Sequence, residues 1–390
     1  MTPARSDAAP GSTSSLRAAN QRRVLDALRT AAPDGADGTV FTQAELARTT
    51  GLAPATVSNI VRDLGAAGLI DTEAGSGRRG SAVRLSPRAG VVAGIDFGHS
   101  HLAVAIGDLT GRILAEERRR IAPDISHGEA LEMAVEMTQS LLPEGATLRH
   151  VGLGLPAPMT AAVIQTASIF PGWRGIDARD TAVEAFGAPV KVDNDANLAA
   201  LAEQRVGAGR GHDSSVCVKI SSGVGAGIII NNALFRGTAG SAGELGHLTF
   251  DEQGPLCRCG SRGCLETYTS VGAVQSMIAG QLPDATLDEI VAAARRGDVS
   301  ARRALEDAGL HLGWGLAAIV NILNPSVIVV GGEMARAGDL LLESVRIGLR
   351  RHALDPVALT PVEASALGER ASLIGAVLLA AESTELLLDA

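Results

Sequence analysis

From residue 91 onward, short apolar runs bounded by glycine alternate with longer segments of helical period. This restricts most of the 390-residue chain to a layered α/β architecture. VVAGIDFG, HLAVAIGD and RILAEERR read as three consecutive strands with tight connections, followed by the helix EALEMAVEMTQSLL and the strand HVGLGLPA. The pattern resumes with VKVDND, the helix ANLAALAEQRVG, the strand pair SVCVKIS and GAGIIINN, and a helical region from about residue 270. A buried strand, SVIVVGG, and a helix through SLIGAVLLAAE complete it. Aromatic residues make up only 2%, so the cores must be built from Ala, Val, Leu and Ile. A chain of this length exceeds one ordinary core, and two or three domains are expected.

The first ninety residues follow a different rule. The opening stretch is rich in Ser, Ala, Pro and Gly and reads as a disordered tail over 1–17. A helix follows around NQRRVLDALRT, with Val24, Leu25 and Leu28 on one face. In FTQAELARTTGLAPATVSNIVRDLGAAGLID, Thr42 and Glu45 have the spacing of a capping box, Gly51 ends that helix and Pro54 opens the next. Val57, Ile60, Val61 and Leu64 form a buried stripe, which leaves Thr56, Asn59 and Arg62 outward and Ser58 near the helix start. Two short helices about a glycine turn make a helix-turn-helix. The strand–turn–strand that follows carries Arg78, Arg79, Arg84 and Arg88, with no acidic residue from Ser76 to Arg88, and completes a winged helix. A plain packing module with a solvated basic loop is the alternative, and it does not account for caps and wing together. Residues 18–90 are therefore expected to bind double-stranded DNA. Thr56, Ser58, Asn59 and Arg62 would face the major groove, with Arg78 and Arg79 on phosphates.

Charge supports this division. Residues 1–90 carry eleven Arg against eight acidic residues, and the remainder carries 23 basic against 35 acidic, so a head of net +3 precedes a body of net −12. The polar N-terminus lacks an apolar h-region and no run reaches membrane-spanning length, so a cytoplasmic protein with no membrane partner is expected.

Three of the four cysteines fall in GHLTFDEQGPLCRCGSRGCLE, at Cys257, Cys259 and Cys264, downstream of His247. One imidazole and three thiolates suit tetrahedral Zn²⁺, and four protein ligands leave no open position for water, so such a site is structural. The redox form C-x-x-C beside a βαβ unit is absent. Inert buried thiols are the remaining alternative, against which Arg258, Ser261 and Arg262 make this a polar loop. Cys217, among apolar neighbours, reads as core. Glu244 and Glu266 are tethered to the cluster, and carboxylates suit polyhydroxylated ligands because each accepts from two hydroxyls.

VDNDANLAALAE, GELGH and CRCGSRGCLE, in that order, resemble the ROK family of repressors and sugar kinases over nearly the whole chain. The resemblance implies an α/β chain: a winged helix-turn-helix followed by a two-lobed actin-like (ribonuclease H-like) ATPase-type body with sugar held between the lobes. The first lobe would span 91–205, completed by a C-terminal helix at 371–390, and the second lobe 206–370 with the zinc loop. It further implies His247, Cys257, Cys259 and Cys264 as zinc ligands, and Asn194, Asp195, Glu244, His247 and Glu266 as sugar contacts. The winged head resembles the family's regulators, since its sugar kinases lack one.

Asp195 matches the general base of the family's kinases, so an ATP-dependent sugar kinase with an added head is the rival reading. The phosphate loops weigh against it. Where the kinases carry D-x-G-G-T, this chain has Asp96-Phe97-Gly98-His99-Ser100; where they carry G-T-G-x-G, it has Ser221-Ser222-Gly223-Val224-Gly225. Side chains in place of glycine crowd the backbone N–H groups that would cradle phosphate. Ile169 stands where glucose-binding members often carry Asn ahead of Pro171-Gly172-Trp173, which implies a different or smaller sugar. The expected function is a sugar-responsive transcriptional repressor without enzymatic activity, a homodimer or homotetramer on operator DNA. A DNA-binding protein with an inert cleft is the third reading.

Overall fold

The computed structural model describes residues 13–30, 40–73, 81–160, 162–164 and 171–386. The head comprises α1 (Thr13–Thr30), β1 (Phe41–Thr42), α2 (Gln43–Thr50), α3 (Pro54–Ala66), β2 (Ile70–Glu73) and β3 (Ala82–Leu85). Helix α1 starts at Thr13, which corrects the tail reading for residues 13–17; the rest of that tail lies outside the described residues. Thr42 caps α2 reciprocally: Glu45 N donates to its hydroxyl at 3.2 Å, and its own N–H donates to Glu45 Oε2 at 2.8 Å. Gly51 then turns the chain at φ +69°, a left-handed conformation that costs glycine little. The α3 stripe of Val57, Ile60, Val61 and Leu64 is buried in one cluster with Val24, Leu25, Leu28 and Leu46. The wing is an antiparallel sheet in the order β1-β3-β2.

The first lobe contains β4 (Val91–Phe97), β5 (His101–Gly107), β6 (Ile113–Arg120), α4 (His127–Leu141), β7 (Leu148–Leu155), the hairpin β8 (Met159–Thr160) and β9 (Val163–Ile164), α5 (Ala178–Phe186) and β10 (Val190–Asn194). Its sheet has the order β10-β7-β4-β5-β6, with β4, β5 and β6 antiparallel and β7 and β10 parallel to β4. Helix α6 (Asp195–Val206) leads to β11 (Ser215–Ile220), β12 (Val224–Ile230), β13 (Ala233–Phe235), α7 (Glu266–Thr269), α8 (Val271–Ile278) and α9 (Leu287–Arg295). The second lobe continues with α10 (Val299–Leu323), β14 (Val327–Gly331), α11 (Asp339–His352) and β15 (Val362–Ala364), and α12 (Ala371–Ser383) follows. The second sheet, β13-β12-β11-β14-β15, repeats the first: three antiparallel strands, then two added in parallel. Two lobes on one plan are what the actin-like expectation requires.

Helices α6 and α12 lie between the sheets. Although α6 follows directly on β10 of the first sheet, it packs on β11 and β12 of the second, while α12 covers β4 and β7 of the first. Glycine permits this close approach. A Cβ on Gly375 of α12 would overlap the Leu198 carbonyl oxygen of α6, and one on Gly227 of β12 would overlap Ala200. The head is docked on the same layer: Val24, Leu25 and Leu28 share an apolar cluster with Leu373, Val377, Ala380 and Ala381 of α12. Beyond the end of α12, the Thr384 carbonyl accepts from Arg29 Nη2 at 2.6 Å. Among the described residues, no helix is long and apolar enough to cross a membrane.

Candidate functional site

A cleft of about 1080 Å³, counted to its open mouth, lies between the lobes and is of small-molecule size. Asn194, Asp195, Glu244, His247 and Glu266, far apart in sequence, all line it. Asn194 caps α6, its Oδ1 accepting from Ala196 N at 2.9 Å and Asn197 N at 3.3 Å, while Nδ2 donates to the Ala157 carbonyl. Asp195 lies in the first turn of α6, where the helix dipole favours a carboxylate, and accepts from Lys219 Nζ at 2.7 Å. Glu266 opens α7 with a side chain only 7% exposed, accepting from Val224 N at 3.0 Å and Arg258 Nε at 2.6 Å. Glu244 lies 3.8 Å from His247 Nε2. Burial, with the Asp195 and Glu266 carboxylates nearby, pushes Glu244 up to about 7, so near neutrality it can donate as well as accept a hydrogen bond.

Beside Glu244 and Glu266, His247, Cys257, Cys259 and Cys264 form a cluster that can hold a metal ion, with all four ligand atoms within 4.8 Å of one another. Cys257 Sγ is 3.7 Å from His247 Nδ1, and Cys259 Sγ is 3.7 Å from Cys264 Sγ. Zinc–sulfur bonds of ~2.3 Å put tetrahedral ligands roughly 3.8 Å apart, so the donor set fits both the chemistry and the size of such a site. The sulfur separation is far too long for a disulfide, and all four cysteines are free. Nδ1 faces the sulfurs and Nε2 faces Glu244, so one imidazole can serve metal and cleft together. Cys217 is buried in β11, away from this cluster, as the core reading requires.

The phosphate-loop positions are occupied by side chains. His101, rather than the expected His99, covers Gly98, and its Nε2 lies 3.3 Å from Asp96 Oδ2. In the second loop, Arg258 Nη2 donates to the Ser222 carbonyl at 2.6 Å and lies where a Cβ on Gly223 would reach. Ile169 lies outside the described residues. In the head, Ser58, Asn59 and Arg62 are exposed on α3 and Thr56 is partly so, while Arg78 and Arg79 lie outside the described residues. Arg84 and Arg88 are not free wing cations: Arg84 pairs with Glu73 at 2.6 Å and Arg88 with Asp71 at 3.3 Å.

Sequence reading missed Lys219, Arg258 and His101 as cleft residues. A signal existed for the first. The chain has only two lysines, Lys191 and Lys219, and the second interrupts an apolar strand.

The ROK family profile matches residues 92–383, and the MarR family profile matches residues 17–80. The xylose repressor of Bacillus subtilis (strain 168) is 32% identical over 319 residues, covering 78% of this chain and 82% of that protein. A solved ROK family transcriptional regulator, described as a homolog of the E. coli MLC protein, superposes with a TM-score of 0.78 at 26% identity, covering 93% of this chain and 96% of its own. A ROK family glucokinase from Streptomyces griseus, solved with glucose and AMPPNP, superposes with a TM-score of 0.67 at 32% identity, covering 75% of this chain and 100% of its own. With a winged head, two actin-like lobes and a match through 92–383, the chain belongs to the ROK family.

Proposed function

We propose that this protein is a sugar-responsive transcriptional repressor, in which an uncharged sugar bound between the lobes changes the hold of the winged head on operator DNA. Helix α12 is the observation that carries this reading. At its start, Ser372 Oγ donates at 2.9 Å to the backbone carbonyl of Asp195, a residue that lines the cleft; just past its end, the Thr384 carbonyl holds Arg29 of the head. A sugar that prefers one lobe arrangement biases this helix, and only that difference in affinity can move the head. Asn194, Asp195, Glu244, His247 and Glu266 supply the sugar's hydrogen-bond partners. Thr56, Ser58, Asn59 and Arg62 read the major groove, with Arg78 and Arg79 on the phosphates. A homodimer presents two such heads to half-sites roughly 34–36 Å apart, or a multiple of that.

Zinc is the metal the donor set favours. With one imidazole and three thiolates the coordination sphere is closed, so the ion holds the loop between His247 and Glu266 and activates no water. Sugar phosphorylation is the rival activity, and His101 over Gly98 and Arg258 over the second loop speak against a bound nucleotide.

The test is fluorescence anisotropy of the full-length protein on duplexes selected from a random pool, titrated with uncharged sugars. One sugar is expected to weaken DNA binding about 5–150-fold. A sugar that binds without altering DNA affinity would remove the coupling, and steady ADP release from added ATP and Mg²⁺ with any sugar would put the kinase reading in its place.

A further inference from the structure

Lys219 is a largely buried ionisable group that neither sugar binding nor the metal cluster uses. Its strand, β11, is otherwise apolar or buried, and its side chain is 16% exposed. The ammonium donates to Asp195 Oδ2 at 2.7 Å and to Ser372 Oγ at 2.9 Å, so a second-lobe residue ties together α6 and α12. Asp96, at the end of β4, faces the same charge. It is 2% exposed, and its Oδ1 has no hydrogen-bond partner among the described residues. After the cost of burial, Lys219 is the largest influence on Asp96 and holds its carboxyl below the ordinary value; His101 adds to this. One ammonium therefore stands among two carboxylates, Asp96 at the end of β4, which is buried, and Asp195 at the start of α6, which is 15% exposed.

Two carboxylates at the floor of a cleft are what a hard divalent cation uses, with open oxygens and room for water. Here the ammonium takes Asp195 Oδ2, and its positive charge repels a second cation from the open oxygen of Asp96. Lysine suits the task better than the arginine this chain uses nearly everywhere else, being a compact point charge rather than a planar fork.

We propose that Lys219 is a resident counter-ion standing in for a divalent metal between Asp96 and Asp195, which lets the cleft take uncharged sugars with no divalent ion at these two carboxylates and closes it to nucleotide–metal complexes. The proposal rests on the sugar-responsive regulator reading.

The probe is Mn²⁺, followed by the electron paramagnetic resonance signal of the free ion, on full-length protein with its cysteine-bound zinc retained. Hard oxygen sites take Mn²⁺, whereas thiolates keep zinc. Wild type is expected to leave the signal unchanged. Lys219→Met should acquire a site at least tenfold tighter than any in wild type, and adding Asp96→Asn should abolish it. Lys219→Gln, which keeps a polar group but no charge, should gain the same site should the Met variant fold poorly; Lys219→Arg should stay metal-free. Mn²⁺ binding by wild type that Asp96→Asn removes would overturn the proposal, as would folded Met and Gln variants that gain no site. Sugar-dependent DNA release by wild type, run with and without Mg²⁺, keeps the two readings apart. If release requires Mg²⁺, the counter-ion role falls and the regulator stands; if no sugar releases DNA, the regulator falls whatever Mn²⁺ does.

Discussion

Replacing Arg29 with Met tests whether the end of α12 transmits sugar binding to the head. The Arg29 side chain is 12% exposed, its Nη2 donates to the Thr384 carbonyl at 2.6 Å, and Asp26 is 3.9 Å away. Burial lowers its pKa, so the guanidinium has lost hydration that its contacts must offset. A hydrogen bond from a charged group contributes about 1.5–3 kcal/mol, and Met retains much of the aliphatic stem, so the substitution removes mainly the bond. If the bond forms in only one of two head–body arrangements, its loss shifts their balance by the same energy, about 10–150-fold. Anisotropy on operator DNA with and without saturating sugar gives the coupling ratio, and calorimetry gives sugar binding. The expected outcome is retained sugar binding and a ratio that falls towards one. A folded Arg29→Met protein that binds both ligands and keeps the full ratio refutes this route.

Other outcomes follow from the same geometry. Cys264→Ser should lower bound zinc and abolish sugar-dependent release while DNA binding by the head persists, measured as metal content against anisotropy; a sugar response surviving in metal-free protein would separate the cleft from the cluster. Gly375→Ala places a Cβ on the Leu198 carbonyl and should destabilise the body by about 1–3 kcal/mol, read as a lowered thermal midpoint. Arg78→Ala with Arg79→Ala should weaken binding to all duplexes and flatten its salt dependence, whereas Asn59→Ala or Arg62→Ala should change which duplexes are preferred; a selection experiment over a salt series distinguishes them.

The head was legible because its determinants are local. Thr42 with Glu45, Gly51 and the α3 stripe all lie within a few residues of what they control. Strand and helix alternation likewise announces two α/β lobes, and the cysteine spacing announces a metal loop. What α6 packs against was not legible. Every residue from Ala196 to Gln204 is buried, so its sequence shows no polar face that would orient it between two sheets. Arg258 looked like a solvated loop residue, and only the folded loop turns it toward Glu266 and Ser222. His101 was passed over for His99 because the hairpin, rather than the spacing, decides which imidazole lies over Gly98. Lys219 pairs with residues 24 positions upstream and 153 positions downstream of it, beyond any local pattern.

The dock between head and body also sets an order of events during synthesis. Arg29 and Thr384 are 355 residues apart, so a head whose helices depend on nearby caps can fold long before its docking helix leaves the ribosome. At ~5–20 residues per second, that interval is roughly 20–70 s. A nascent chain would then carry a winged helix competent for DNA yet insensitive to sugar, and arrest before α12 would leave that state permanent.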